Sequence, residues 1–305
     1  MVGSDSYPHK SILTTWKCDV YSPLQHLMET TTGDKVVVAH VQACTTMLEE
    51  NYRSHPSIIT LVNRFYDNKL RVPASGSRYS LQWSHPHVVW HHGSSMEQFE
   101  FNSPSIFNME QVEQALNYVD MVVDKWRVPI ADVVILAPYI KQVQKLREML
   151  RVTRPSLYAN NPDLLKRNVC SIEAFQGREA RVVIITTVRT TDDVELLKAD
   201  CRRHLGFLCQ AQRTNVAVSR AIDSMIILGN LKLLARDAKT WGPLLRTSTD
   251  DTSHVIQGLD RATLRNVLDQ GGNAIQLLLD AQAPTPDDTT PVLDADAAAA
   301  RRLDD

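Results

Sequence analysis

Apolar runs rich in β-branched residues recur through the middle of the chain, and segments with apolar residues at helical spacing lie between them. The strand-like runs cover residues 87–92, 132–138, 168–172, 180–188 and 224–230, and the helical segments cover 57–66, 108–126, 139–150 and 213–221. Continuous apolar strands separated by helices are typical of a parallel sheet covered on both faces. The pattern therefore predicts an α/β fold with a mainly parallel sheet.

Polar residues follow several of these runs directly. Pro138 and Tyr139 come after one predicted strand, and Ser171, Arg189 and Asn230 lie at or near the ends of three others. Ligands of open parallel sheets bind outside the carboxyl ends of the strands. We therefore expect these residues to border a ligand site.

The last sixth of the chain has a different composition and charge. Residues 250–305 contain 11 Asp and 4 Arg, a net charge of -7, whereas residues 1–249 carry 29 basic and 24 acidic residues, a net charge of +5. Residues 259–281 are compatible with one amphipathic helix, and we expect disorder beyond Ala283. The mildly basic body is compatible with a polyanionic partner.

Cysteine usage and hydropathy favour a soluble protein of a reducing compartment. The five cysteines include no CxxC pair, and no apolar stretch approaches the roughly 18 residues of a membrane span. We expect no membrane association, no signal peptide, and a cytoplasmic location, with the nucleus as the alternative. Four histidines occur at 85–92, but no cysteine or carboxylate cluster accompanies them, so we expect packing at an edge strand and no metal site.

The segment 50–58 allows two interpretations. Tyr52 and Arg53 are polar groups held directly before a helix, where they could meet a ligand. Alternatively, Ser54 is only the N-cap of that helix and Pro56 lies in its first turn.

Two further polar clusters are also ambiguous. Tyr139 and Gln142 could contact a base or sugar, or Tyr139 could be a half-buried tyrosine with a satisfied hydroxyl. Arg213 and Arg220 are seven residues apart, so on one helix they would share a face. Arginine held on a rigid helix can offer a planar, permanently charged group to phosphate oxygens, although a lone arginine is more often a surface ion pair.

Taken in order, four segments resemble the motif series of the second RecA-like domain in superfamily 1 helicases of the Upf-one-like group. They read NYRSHP (51–56), APYIKQ (137–142), SIEAFQGREARVVIITTVR (171–189) and GFLCQAQRTNVAVSRA (206–221). The resemblance covers about residues 22–245. The segment SPSIFN (103–108), NYRSHP and LGFL (205–208) are most similar to the Armitage-type RNA helicases of small-RNA silencing.

The resemblance implies a fold and a domain organisation. The fold is a RecA-like three-layer sandwich over residues 46–246. Residues 1–45 would be the remnant of the connection from a first RecA-like domain, because 20–31 resembles a helix near the end of that domain. Residues 247–305 would form an acidic tail with one helix followed by disorder.

The resemblance also implies roles for individual residues. Tyr52 would lie against the adenine and ribose of ATP, Arg53 would reach its phosphates, and Gln176 and Glu179 would touch the ribose and phosphate side. Arg220 would be the arginine finger on the γ-phosphate. The residues implied to face a single strand of nucleic acid, mostly its sugars and phosphates, are Pro138, Tyr139, Ser171 and Arg189.

The motifs of the first RecA-like domain do not occur in this sequence. No glycine lies in a G-x-x-x-x-G-K-[ST] pattern, and no Asp-Glu dipeptide is present. The sequence therefore predicts the carboxy-terminal half of an ATP-dependent RNA helicase, whose ATP and Mg²⁺ are shared with a first RecA-like domain and which is inactive alone. The expected partners are single-stranded RNA, that domain or an upstream polypeptide, and RNA-silencing or ribonucleoprotein factors. The alternatives are a non-catalytic RNA- or protein-binding module and a DNA-directed relative.

Overall fold

The computed structural model describes residues 48–101, 103, 105–159, 161–191 and 210–271. The predicted connection 1–45, the segment 206–209 and the predicted end of the acidic tail lie outside these residues. So does the second half of the helix predicted over 259–281.

The centre of the domain is a six-stranded sheet in which every neighbouring pair is parallel. The strands are β1 Val88–His92, β4 Val133–Ala137, β5 Val169–Ser171, β6 Ala180–Thr186, β7 Ala221–Gly229 and β8 Val255–Gln257. Their spatial order is β5-β4-β6-β7-β1-β8. Two short strands, β2 Gln98–Phe99 and β3 Ile106–Phe107, form a separate antiparallel pair.

Helices cover both faces of the sheet. They are α1 Pro56–Val62, α2 Met109–Asp120, α3 Ile140–Thr153, α4 Pro155–Tyr158, α5 Pro162–Asn168, α6 Ala211–Val218, α7 Leu231–Ala235, α8 Trp241–Asp250 and α9 Arg261–Gly271. One core joins α1, α6, α7, α8 and α9 to the sheet, and a second core joins α2, α3, α4 and α5 to the other face. This arrangement confirms the predicted α/β three-layer fold.

The two cores follow from the strand repeat. Successive side chains of a strand point to opposite faces, so a strand covered on both faces needs an unbroken apolar run. In β6, Val183 and Ile185 lie in one core and Val182 and Ile184 lie in the other. The apolar run at 180–188 was therefore correctly interpreted as a buried strand.

The helix boundaries correct two details of the sequence analysis. The N-cap of α1 is His55, whose Nδ1 accepts a hydrogen bond of 3.2 Å from the backbone N–H of Ser57. Ser54 instead donates its hydroxyl to the carbonyl of Ala221 at 2.6 Å. The helix predicted over 213–221 ends at Val218, because Ala221 already belongs to β7.

Residues beyond 246 still belong to the packed unit. β8 pairs with β1 at the edge of the sheet, and Leu264 and Leu268 of α9 are buried in the core that contains α8. These residues were predicted to form a tail because β8 has only three residues and no distinctive pattern. Within the described ranges, no helix has the length and apolar character needed to cross a bilayer.

The burial of α9 yields a stability prediction. Leu264→Ala should lower the free energy of unfolding by about 2–5 kcal/mol, because it removes a fully buried side chain from the core. Asn266→Ala, on the exposed side of the same helix, should change it by less than about 0.5 kcal/mol. Urea unfolding of both variants measures this, and equal small effects would show that α9 does not pack on the domain in solution.

Candidate nucleotide and nucleic-acid sites

The predicted site residues lie at two opposite edges of the sheet. Because all six strands are parallel, their amino ends form one edge and their carboxyl ends the other. Glu179 directly precedes β6 and Arg220 directly precedes β7, so both lie at the amino edge. Pro138 and Arg189 follow β4 and β6, and Ser171 is the last residue of β5, so all three lie at the carboxyl edge. Only the second set of predicted site residues therefore lies at the carboxyl ends of the strands.

At the amino edge, strand pairing places Glu179 next to Arg220. The first residues of β6 and β7, Ala180 and Ala221, are partners in the ladder, and the N–H of Ala180 donates to the carbonyl of Arg220 at 3.2 Å. The segment 51–56 docks on the same strand end through Ser54 and through the N–H of His55, which donates to the carbonyl of Ile222 at 2.9 Å. This docking brings the side chain of Arg53 to the same place.

Four charged residues at this edge form what we call the arginine cluster: Arg53, Arg78, Glu179 and Arg220. Arg53 donates from Nε to Glu179 Oε2 at 2.6 Å and from Nη1 to the carbonyl of Ser219 at 3.2 Å. Arg78 pairs with the other carboxylate oxygen of Glu179. Three guanidinium groups and one carboxylate leave the cluster with a net charge of +2.

Arg220 is buried and pairs only with neutral oxygen atoms in the described part of the chain. Its Nε donates to the carbonyl of Val216 at 3.0 Å, Nη1 to the carbonyl of Arg178 at 3.4 Å, and Nη2 to the hydroxyl of Ser219 at 3.1 Å. Burial, and secondly the positive charge of Arg53, lower the pKa of Arg220. A buried cation without its own carboxylate is costly, so this position favours an incoming anion.

Tyr52 and Gln176 flank the cluster in sequence and are solvent-exposed. The hydroxyl of Tyr52 donates to Glu50, and this hydrogen bond raises the pKa of the phenol. The backbone carbonyl of Tyr52 accepts from the N–H of Arg78 at 2.7 Å. The side chain of Gln176 makes no hydrogen bond within the described residues, and Gly177 after it has φ of +80°, which only glycine adopts without strain.

His55 adds no charge to this edge at neutral pH. Its ring stacks on His87 with centroids 3.3 Å apart and meets the edge of Tyr79. Burial, and secondly the nearby His87, lower its pKa to about 4. The helix N-terminus beside the arginine cluster therefore carries a neutral imidazole.

The carboxyl edge contains the residues expected to face a single strand, and the structure buries them. Tyr139 packs with Ile106 and Val188, and Arg189 pairs with Glu97 at 2.7 Å. The hydroxyl of Ser171 accepts from the N–H of Ala174 at 3.2 Å.

The backbone of the carboxyl edge is strained and held by amide side chains. Val188 has φ of +67°, a conformation unfavourable for a β-branched residue. Gln111 holds it by accepting from its N–H at 2.8 Å and donating to its carbonyl at 3.3 Å. Gln142, which the sequence analysis considered for base contact, is instead buried and pairs with the backbone of Asn108.

The structure separates Arg213 from Arg220. Arg213 lies on α6 and pairs with Glu173 at 2.6 Å, and it also donates to the carbonyl of Pro138 at 3.1 Å. Arg220 lies beyond the end of that helix, so the two guanidinium groups do not share a face. The predicted common face was wrong because the chain enters β7 one residue after Arg220.

The histidines at 85–92 take part in aromatic packing. His85 stacks on Trp126, and His91 bonds to the hydroxyl of Tyr118 at 3.0 Å. Among the residues that the structure describes, no group of three or more His, Cys, Asp or Glu is placed to hold a metal ion.

Comparison with known protein families supports the motif assignment. The family model described as an AAA domain matches residues 22–232. The chain belongs to the Upf-one-like superfamily 1 helicases.

Curated relatives include RNA helicases and match the same region. The chain is 36% identical over 212 residues to "Putative helicase mov-10-B.1" of Danio rerio, covering 65% of this chain and 20% of that protein. It is 36% identical over 233 residues to human "RNA helicase Mov10l1" (73% and 18%) and 35% identical over 218 residues to "Probable RNA helicase armi" of Drosophila melanogaster (66% and 17%). The chain thus spans about a fifth of the length of these relatives.

Arg78 lies at the amino edge of the sheet in this helicase domain, and no sequence motif predicts it as a site residue. It lies in a loop outside every recognised motif, and its contact with Glu179 arises only because that loop folds back on Tyr52. No feature of the local sequence predicts this contact.

The balance of charge at the amino edge can be tested through stability. Glu179→Ala should lower the free energy of unfolding by about 1–3 kcal/mol at low salt, because it leaves three guanidinium groups close together without a counter-charge. The loss should shrink at high salt, since repulsion between partly exposed charges is screened. Urea unfolding at low and high ionic strength measures both values.

Glu148→Ala is the matched control, because Glu148 forms a solvent-exposed pair with Lys145. It should change stability by less than about 0.5 kcal/mol at either salt concentration. A Glu179→Ala effect as small as this control would contradict the described cluster.

Proposed function

We propose that this chain is the second RecA-like half of an ATP-dependent RNA helicase, with Arg220 as its arginine finger. The observation that carries the proposal is the arginine cluster, which holds a buried guanidinium without a carboxylate of its own. Family membership supports the use of a nucleotide, and the residues present fit its phosphate groups.

The charges of the cluster match those of a nucleoside triphosphate. A net charge of +2 at the rigid ends of two paired strands attracts phosphate oxygens, and planar guanidinium groups bind them through paired hydrogen bonds. In this proposal Arg53 and Arg220 contact the phosphates, while Glu179 orients Arg53 and contacts the ribose. Tyr52, exposed beside them, lies against the adenine.

We call residues 176–179 the QGRE turn. In this proposal the turn couples the nucleotide site to the rest of the domain. The carbonyl of Arg178, inside the turn, accepts the longest of the three hydrogen bonds of Arg220, at 3.4 Å. Movement of the guanidinium toward a phosphate would release this bond first. The same turn leads into β6, which ends at Thr186 and is followed by Val188 and Arg189 on the opposite edge. We propose that β6 transmits nucleotide binding to the nucleic-acid side.

RNA is the proposed nucleic acid, because two of the relatives compared above are named as RNA helicases. Ribose 2′-hydroxyl recognition is what distinguishes RNA from DNA at a site. Competition between single-stranded RNA and DNA of one sequence at a fixed salt concentration decides between them. The resemblance to Armitage-type helicases adds RNA-silencing or ribonucleoprotein factors as proposed partners.

The proposal predicts that residues 1–305 bind a nucleotide weakly and do not hydrolyse it, since the sequence contains no P-loop. A fluorescent ATP analogue, titrated at millimolar concentration, should bind Arg220→Ala roughly 10-fold more weakly or worse, because a charge-assisted hydrogen bond is lost. RNA-stimulated ATP turnover by the purified chain that disappears in Arg220→Ala would overturn the predicted inactivity.

Arg178→Ala is the control for charge. It removes one positive charge from the same turn but keeps the backbone carbonyl that Arg220 uses, and Arg178 itself stacks on Phe175. This variant should bind the analogue within about twofold of the unaltered chain, because surface charges contribute little. Equal losses in both variants would show that general charge, and not the buried guanidinium, attracts the nucleotide.

A further inference from the structure

A connection between β1 and α2 carries most of the exposed aromatic surface at the carboxyl edge. We call the described residues 94–101, 103 and 105–107 the strap; it contains the pair β2 and β3. Phe99 is 77% exposed, Phe101 is fully exposed at 102%, and Met96 is 69% exposed. Large apolar side chains this exposed and this close together mark an interaction site more often than scattered ones do.

Although these side chains are exposed, the strap itself is firmly attached to the domain. Glu97 accepts from Arg189 Nη1 at 2.7 Å and from the N–H groups of Thr190 and Thr191, both at 2.7 Å. Burial, the largest influence, acts to raise the pKa of Glu97, but the hydrogen bonds from Thr190 and Arg189 and the charge of Arg189 together lower it. Ile106, near the other end, packs on Tyr139 and Val188.

The strap covers Tyr139 and Arg189, two of the residues that the motifs predict to face single-stranded nucleic acid. Tyr139 and Arg189 are 3% and 6% exposed, and their contacts include Ile106 and Glu97 of the strap. A base cannot stack on a ring that is only 3% exposed. Phe99 and Phe101 are thus the aromatic rings at this edge that the described residues leave open.

Two lysines pair with the residue that lies between these rings in the sequence. Glu100, between Phe99 and Phe101, pairs with Lys141 at 2.5 Å and with Lys145 at 3.1 Å, both near the start of α3. Lys145 also pairs with Glu148 at 3.7 Å and lies over the ring of Phe107, and Arg189 pairs with Glu97. Open aromatic rings combined with basic side chains are the usual means of binding single strands without sequence preference.

We infer that the strap is a stacking platform for single-stranded nucleic acid, in which Phe99 and Phe101 hold bases and Lys141 and Lys145 pair with phosphates in place of Glu100. This inference rests on the proposed function as a nucleic-acid motor, and it relocates the aromatic contact from Tyr139 to the strap. Glu100 then competes with phosphate for the two lysines.

Fluorescence anisotropy with a labelled oligouridylate of about 20 nucleotides tests the platform, using the whole chain at about 50 and 200 mM salt. The double variant Phe99→Ala/Phe101→Ala should raise Kd at least fivefold at both concentrations, because base stacking is lost. The dependence of Kd on salt should stay unchanged, since no cation is removed. Leu81→Ala/Val152→Ala removes two equally exposed apolar side chains elsewhere and should stay within twofold.

Glu100→Gln tests the competition and gives a gain that misfolding cannot produce. It should lower Kd at least twofold at low salt and steepen the salt dependence, because Lys141 and Lys145 become free for phosphates. Unchanged binding by this variant would overturn the role of the lysines.

Three results would overturn the platform. If the unaltered chain binds the oligonucleotide and the double phenylalanine variant binds equally well, the platform fails while the proposed function stands. If light scattering shows dimers that only this variant abolishes, with RNA binding unchanged, the strap joins two copies of the chain. If the unaltered chain does not bind at all, both the platform and the proposed nucleic-acid track fail.

Discussion

The parallel pairing of β6 with β7 is the constraint on which the amino edge depends. Because Ala180 and Ala221 are partners in the ladder, the residues before them, Glu179 and Arg220, are fixed side by side. Fully buried apolar side chains on both faces hold the ladder from Val182 to Thr186, and a register irregularity lies between that ladder and the pair Ala180–Ala221. A shift of one residue would exchange the two faces of a strand and move Arg220 away from Glu179. The core therefore positions the charged groups, which need no strong interaction among themselves.

Three buried arginines, Arg189, Arg213 and Arg220, differ in how their charge is compensated. Arg189 and Arg213 each have a carboxylate partner, Glu97 and Glu173, so their charge is compensated within the domain. Arg220 has neutral oxygen partners in the described residues, and its charge is desolvated next to Arg53. A domain optimised only for stability would replace such a group. In the proposed function, Arg220 would meet a triphosphate on the surface of a second domain and use its uncompensated charge for binding and for transition-state stabilisation.

The sequence alone predicts the fold and the polar motifs well, because both depend on local order. Apolar runs locate five of the six strands of the sheet, and the order of the motifs brings Arg53, Glu179 and Arg220 together. The features that the sequence does not predict depend on loops that contact residues distant in the sequence. Arg78 reaches Glu179 from a loop without a motif, and the strap buries Tyr139 and Arg189. β8 is too short to give a periodic signal, and α6 ends early because β7 begins at Ala221.

The most direct test of the central claim is NMR of the arginine side-chain Nε–H groups of residues 1–305 during titration with ATP. The cluster predicts that the resonances of Arg53 and Arg220 shift together and saturate, whereas that of Arg189 on the opposite edge stays in place. The shifts should require the triphosphate, with adenosine alone having little effect, because the guanidinium groups recognise phosphate oxygens. Shifts confined to Arg189, or none at Arg220 at saturating ATP, would contradict the assignment of the nucleotide to the amino edge.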